Sequence, residues 1–251
     1  MTTTPTESES SGKMTHDTAM NLAAVEMGRL IDVVEQLRPS DWSLPTDCEG
    51  WDVKALLSHM LGAMEGNASL REFGRQYLVA SKKSKRSAQP MVNEMTSSQI
   101  SDHATLSPKE ISDRLRVNAQ KSVRGRRRMP ALMRSMSINP GAPFEGKWKM
   151  GYLVDTIMNR DFWMHRVDLT RAIGSEMVLT SDHDGAIVRD VVSEWARTHE
   201  QSYTLVLEGT AGGTFAQGHG GEDISIDAVE FCRVLSGRGH VAGLLSYTIP
   251  F

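Results

Sequence analysis

The chain has 251 residues, with 28 Lys and Arg against 31 Asp and Glu and a formal net charge of -3. This length suits one large domain or two modest ones, and the charge balance argues against a chain built mainly for nucleic acid or anionic membrane. Two cysteines, Cys48 and Cys232, form no C-x-x-C, which excludes a disulfide framework or a cysteine-rich zinc site and suits a reducing cytoplasm. With no visible signal peptide and no run of roughly 20 apolar residues, the expectation is a soluble, cytoplasmic protein.

Residues 1–16 are rich in Thr, Ser and Glu and read as a disordered tail. From Ala19 to Leu37, apolar residues at helical spacing make one stripe, which ends at Pro39-Ser40-Asp41. The run Trp42 to Trp51 is dense in Pro, Gly and Trp and reads as a firmly packed loop. A second helix starts near Asp52, with His59 beside its apolar stripe. It can continue through Phe73, Tyr77 and Leu78. Lys82 to Arg86 looks like a solvated break, and a further helix can cover Pro90 to Ile100. Ser107-Pro108-Lys109-Glu110 carries a cap, a first-position proline and a capping-box glutamate, so a helix should run to about Arg128. Pro130 to Gly146 reads as loop, with Pro140-Gly141-Ala142-Pro143 its least regular part. A long helix follows from Trp148 to Ile173, with Gly174 as its C′ glycine.

The texture then changes. Ser181 to His199 is a helix, Tyr203 to Glu208 and Thr214 to Gln217 are strands, and Ile224 and Ile226 mark another strand. Asp227 can cap a helix through Leu235 that Gly237 ends, with Glu230 at the capping-box position. Leu244 to Ile249 reads as a last strand. Helices followed by mixed short elements predict a helical bundle over 17–178 and a small α+β domain over 179–251.

The chemistry-bearing feature is Asp161-x-x-x-His165 inside the long helix. Residues four apart share a helix face, here among Val154, Ile157, Leu169 and Ala172. A carboxylate and an imidazole buried there need a partner. A divalent metal completed by His59 would supply one and leave a position open for chemistry. The bland alternative is a hydrogen-bonded core histidine and an i,i+4 hydrogen bond. Asp168 either accepts from an imidazole N–H or pairs with Arg171. Trp42 and Trp51 read as loop packing and Cys48 as a small buried hydrophobe. Lys82 to Arg86 and Arg124 to Arg128 read as solvated helix ends. The histidines at 16, 103, 183, 199, 219 and 240 show no ligand-like spacing.

Two segments resemble the mycothiol-dependent maleylpyruvate isomerase family: Asp41 to Val53 with Ser58-His59-Met60, and Arg160 to Leu169. The run Asp227 to Phe231 through Leu235-Ser236-Gly237-Arg238 is similar to that family's small sterol-carrier-like α/β domain. The resemblance implies a DinB-like four-helix bundle followed by this small domain, with His59, Asp161 and His165 as ligands of a divalent metal, Zn2+ first. Asp161 stands where those isomerases usually carry Glu. Its side chain is one methylene shorter, so the metal must lie nearer the helix or a water must bridge. The implied cosubstrate is mycothiol, and the implied reactions are thiol-assisted cis–trans isomerisation of an electrophilic small molecule or thiol transfer to it. Arg238 is implied to bind a substrate carboxylate, for which a guanidinium fork is suited; otherwise it complements a helix dipole. The alternative function is a non-catalytic binding or regulatory protein on the same fold. No nucleic-acid or membrane partner is expected.

Overall fold

The computed structural model describes residues 14–141, 144, 146–239 and 241–251. Of the tail expected over 1–16, residues 1–13 lie outside the described residues, as do Ala142, Pro143 and Glu145 of the expected loop and His240; Thr15 and His16 are not tail but cap and begin a helix. The chain divides into two compact units, Thr15–Glu176 and a smaller one whose body is Met177–Phe251. Among the described residues no helix is long and apolar enough to cross a membrane.

The larger unit is helical. α1 (His16–Val34) begins three residues earlier than its stripe suggests, because Thr15 caps it by accepting from the Thr18 N–H. A 3-10 turn (Pro39–Ser43) opens the Trp-rich loop, and Asp52 caps α2 (Val53–Ala68). α3 (Leu70–Ser87) is a separate helix started by Ser69, and it carries Lys82 to Arg86 inside it. The expected break there is wrong: four cations in five residues form the solvated face of an amphipathic helix, which ends only at Ala88, in the left-handed conformation (φ 57°). α4 (Met91–His103) folds back along α3. α5 (Pro108–Arg127) shows the full capping box between Ser107 and Glu110.

The expected loop from Pro130 contains a short helix, α6 (Ala131–Ser135), and strand β1 (Ser137–Ile138), which pairs antiparallel with β2 (Trp148–Lys149). These elements are too short to leave a periodic signature. The long helix is in three pieces: α7 (Met150–Tyr152), a π-helical turn (Leu153–Ile157) and α8 (Met158–Ala172). Gly174 follows with φ 64°.

α1, α5, α2 and α8 form the bundle core, each packed on two of the others, and the α3–α4 pair lies on α2. Met27, Leu30, Leu57, Met60, Leu115 and Phe162 are among the fully buried residues between them. Burial at roughly 1.5–3 kcal/mol per large apolar side chain drives this assembly. Gly125 lets α5 approach α2, since a Cβ there would sit 2.1 Å from the Asn67 carbonyl oxygen. Inside the bundle Arg166 and Glu26, each 1% exposed, form a two-point ion pair at 2.6 and 3.1 Å that ties α8 to α1.

The π turn has its own brace. The sequence pattern predicts a solvated basic cluster that includes Arg126, yet this residue is 1% exposed. Its guanidinium donates to the Val154 carbonyl and, at 2.8 Å, to Asn159 Oδ1. A π turn inserts one residue into the helical register, which rotates everything after it by roughly 100°. Arg126 occupies a carbonyl of that turn, so α5 helps set which face of α8 carries Asp161 and His165.

In the smaller unit α9 (Asp184–His199) precedes a three-stranded sheet of order β4-β3-β5. β3 (Tyr203–Glu208) pairs antiparallel with β4 (Gly213–Gln217) and parallel with β5 (Glu222–Asp227). Tyr203, Leu205 and Leu207 are buried while Val206 and Glu208 are exposed, the alternation of a one-sided sheet. Trp195 of α9 packs on Tyr203 and on Phe231 of α10 (Ala228–Arg233), and its indole donates to the Leu244 carbonyl at 2.9 Å. Asp227 caps α10 as expected, but the Glu230 carboxylate takes Arg233 at 2.5 Å. A π turn (Val234–Arg238) follows, with Gly237 at φ 85°. The last strand expected from Leu244 is instead a 3-10 turn (Gly243–Ser246) leading to irregular chain. The fold is thus a helical bundle plus a small α/β part.

Candidate metal centre

α2 and α8 bring the three sequence-selected residues together. His59 Nε2 lies 3.9 Å from Asp161 Oδ2, and His165 Nε2 lies 3.3 Å from Asp161 Oδ1. Ligand atoms of all three fall within 4.8 Å of one another. Ligands about 2 Å from a tetrahedral zinc stand about 3.3 Å apart, so the two observed separations are close to those of a coordination shell. Asp161 therefore reaches both imidazoles despite its short side chain. Both histidines are buried, and the Asp161 side chain is 26% exposed, which leaves the centre open on the carboxylate side.

The outer nitrogen of each ring is already engaged. His59 Nδ1 lies 2.8 Å from Gln99 Oε1, an atom that can only accept, so Nδ1 carries the hydrogen and donates it. His165 Nδ1 donates to Asp168 Oδ2 at 3.0 Å, and Asp168 is fully buried. Metal-binding histidines are commonly held in this way by an acceptor behind the ring, which fixes both tautomer and orientation. Of the two sequence readings of Asp168, the structure shows the imidazole acceptor; Arg171 pairs with Asp47 at 2.6 Å.

Cys48 departs from its expected role as a buried hydrophobe. It is half-buried, and its thiol donates to Asp168 Oδ2 at 3.3 Å. Trp51, read as loop packing, also walls the centre, with its ring centroid 5.4 Å from that of His59 and 6.1 Å from that of His165. Cys48, Trp51, Glu49 and the α4 residues Asn93, Thr96 and Ser97 line an open pocket of about 540 Å³. Gln99 carries no sign of this role in its local sequence, because its partner lies forty residues away on another helix.

The electrostatics favour a cation at the centre. Burial opposes a charge on His165, but the neighbouring Asp161 carboxylate, with hydrogen bonds to Asp161, Asp168 and Cys48, outweighs burial and holds its pKa well above 6.5. Burial pushes His59 down to about 4; Asp161 opposes this shift and the charge on His165 adds to it. In the metal-free protein one imidazole is therefore charged and the other neutral, and the positive charge on His165 stands beside Asp161. Arg238 belongs to the smaller unit, half-buried, where its Nη1 donates to Ser236 Oγ at 3.1 Å.

The comparisons with known proteins agree with this architecture. A crystal structure of the mycothiol-dependent maleylpyruvate isomerase superposes with a TM-score of 0.59 and 16% identity, covering 90% of each chain. A histidine-to-alanine mutant of that enzyme superposes with a TM-score of 0.58 at the same identity and coverage. At this identity the likeness concerns the fold. No curated protein matches the chain. The family model of the mycothiol maleylpyruvate isomerase N-terminal domain matches residues 23–170, a stretch that contains all three centre residues, and the chain belongs to that family.

Proposed function

We propose that this protein is a metal-dependent enzyme that uses a low-molecular-weight thiol, mycothiol, to isomerise an electrophilic small molecule about a double bond or to transfer the thiol to it. The observation that carries this reading is the convergence of two imidazole Nε2 atoms and the Asp161 carboxylate, with each Nδ1 already hydrogen-bonded behind its ring. His59, Asp161 and His165 would hold the metal. Imidazole and carboxylate donors suit zinc, and also nickel or iron. A divalent cation held by three protein ligands leaves a position for a thiol and lowers that thiol's pKa, so that the nucleophilic thiolate is available at neutral pH.

The remaining groups orient and exclude. Asp168 holds the His165 ring by its Nδ1–H, and Gln99 holds His59. Trp51 covers both rings and limits water access. We place the thiol cosubstrate in the pocket lined by Cys48, Trp51 and α4. Arg238 is proposed to pair with a carboxylate of the electrophile, which would favour an anionic substrate.

The test is elemental analysis of purified wild-type protein and His165→Ala, followed by a thiol-dependence assay. Near-stoichiometric divalent metal in the wild type, lost in the variant, together with turnover of a cis-configured unsaturated carboxylate only when mycothiol is present, is the expected result. A wild type that takes up no metal from added zinc would overturn the metal reading. A metal-loaded protein inert with mycothiol and every electrophile tried would point to a binding protein on this fold.

A further inference from the structure

We propose that Gln76 and Gln99 are positioning residues for His59: a relay of amide hydrogen bonds, anchored on the Gly62 carbonyl and the Glu72 carboxylate, sets the tautomer that turns the Nε2 lone pair toward Asp161. The inference rests on the metal reading for its purpose. The tautomer itself follows from hydrogen-bond chemistry alone.

The relay starts at groups that can only accept. Gln76 Nε2 donates to the Gly62 carbonyl at 2.9 Å and to Glu72 Oε1 at 3.0 Å. Glu72 stays ionised, since hydrogen bonds from Arg75 hold its pKa below the usual range. Both hydrogens of the Gln76 amide are thereby assigned, and its Oε1 must point the other way. There it accepts from Gln99 Nε2 at 2.9 Å. Gln99 Oε1 in turn faces His59 Nδ1 at 2.8 Å, so the ring must donate from Nδ1. A neutral imidazole with hydrogen on Nδ1 has its lone pair on Nε2, the atom that faces Asp161.

Each orientation forces the next. Rotating the Gln76 amide would set its oxygen against the Gly62 carbonyl and the Glu72 carboxylate. Rotating only Gln99 would set two amide oxygens against each other. Both glutamines are buried, at 4% and 5% exposure, so no bulk water can compensate. The backbone is shaped for the relay as well. A Cβ at Gly62 would lie 2.6 Å from Gln99 Cβ, so this glycine both anchors the relay and admits α4 close enough to complete it. The His165 Nδ1–H is held by a carboxylate, whereas the His59 Nδ1–H is held by neutral amides that leave no charge behind the ring.

The test is nitrogen-15 NMR of histidine-labelled, metal-free protein at pH 7, with the His59 signals assigned by their loss in His59→Gln. The expected spectrum shows a protonated Nδ1 and an unprotonated Nε2. Gln76 forms no hydrogen bond to His59, yet Gln76→Leu should free Gln99 to rotate, give His59 a mixed tautomer and weaken zinc binding about 10- to 100-fold. Gln76→Met serves as the second variant if Gln76→Leu does not fold. A His59 protonated on Nε2 in the wild type overturns the relay. So does a Gln76 variant that folds and keeps the wild-type tautomer, since packing alone would then explain the glutamine. Because the NMR is done without metal, failure of the wild type to bind zinc would sink the metal reading and leave the tautomer result to stand or fall separately.

Discussion

Replacing Gly62 with Ala should destabilise the bundle even though alanine is the better helix former. The new Cβ would lie 2.6 Å from Gln99 Cβ, 2.7 Å from its Cγ and 3.3 Å from its Cα. Carbon atoms in contact prefer about 3.5–4.0 Å, so α4 must retreat by about 1 Å. The 2.8 Å bond from His59 Nδ1 to Gln99 Oε1 would then lengthen beyond hydrogen-bonding range. Overpacking costs about 1–3 kcal/mol and an orphaned buried polar group about 1–3 kcal/mol more. Alanine's helix propensity returns about 1 kcal/mol. The net expectation is a loss of about 1–5 kcal/mol. Gly74 in α3 is the control, because a Cβ there meets nothing within 4 Å; Gly74→Ala should stabilise by about 0.4–1 kcal/mol. Urea unfolding of the two variants beside wild type, followed by zinc titration, reads both effects. If Gly62→Ala proved as stable as Gly74→Ala, the close approach of α2 and α4, and with it the role given to Gly62, would be refuted.

Two further outcomes follow from groups described above. Glu26→Ala leaves Arg166 charged and buried, which should cost about 3–5 kcal/mol in urea unfolding, whereas the apolar pair Glu26→Leu with Arg166→Met should come close to wild type; equal losses in both would show that the ion pair is not the source. In metal-free protein the pKa of His59 is depressed in the folded state to about 4. Below the unfolded value of about 6.5 the unfolded chain takes a proton that the folded one refuses, so stability falls as pH drops through this window, by up to about 3 kcal/mol. His165 has the opposite sign: its raised pKa contributes stability that is full below about 6.5 and is lost as pH rises through the folded value. His59→Leu should therefore flatten the acid limb of a pH–stability curve, and an unchanged limb would count against the burial of a neutral His59.

Local signals in the sequence determined much of the fold. Ser107 to Glu110 specified a helix start because a cap needs only four consecutive residues, and Gly174 specified a stop because the left-handed conformation is a property of one residue. The alternation of Tyr203 to Glu208 gave a strand with the right ends. The same local logic failed where charge and helicity coincide, at Lys82 to Arg86, and where elements are too short for a period to show, at Ala131–Ser135 and Gly243–Ser246.

The candidate centre divides along the same line. Asp161 and His165 were legible because four residues make one helical turn, and their placement in an apolar pattern marked them as costly to bury. The union of His59 with them was expected from spacing and resemblance, but only the packing of α2 against α8 sets its distances. Gln99, Gln76 and the buried guanidinium of Arg126 had no sequence signal, and the segment that holds Cys48 and Trp51 did not show that they face the centre. Each meets a partner from another helix or loop through one or two hydrogen bonds or ring contacts, and such pairings leave no periodicity to read. Propensity and patterning fix which face of each helix is buried; which polar atoms meet inside is decided only when the helices dock.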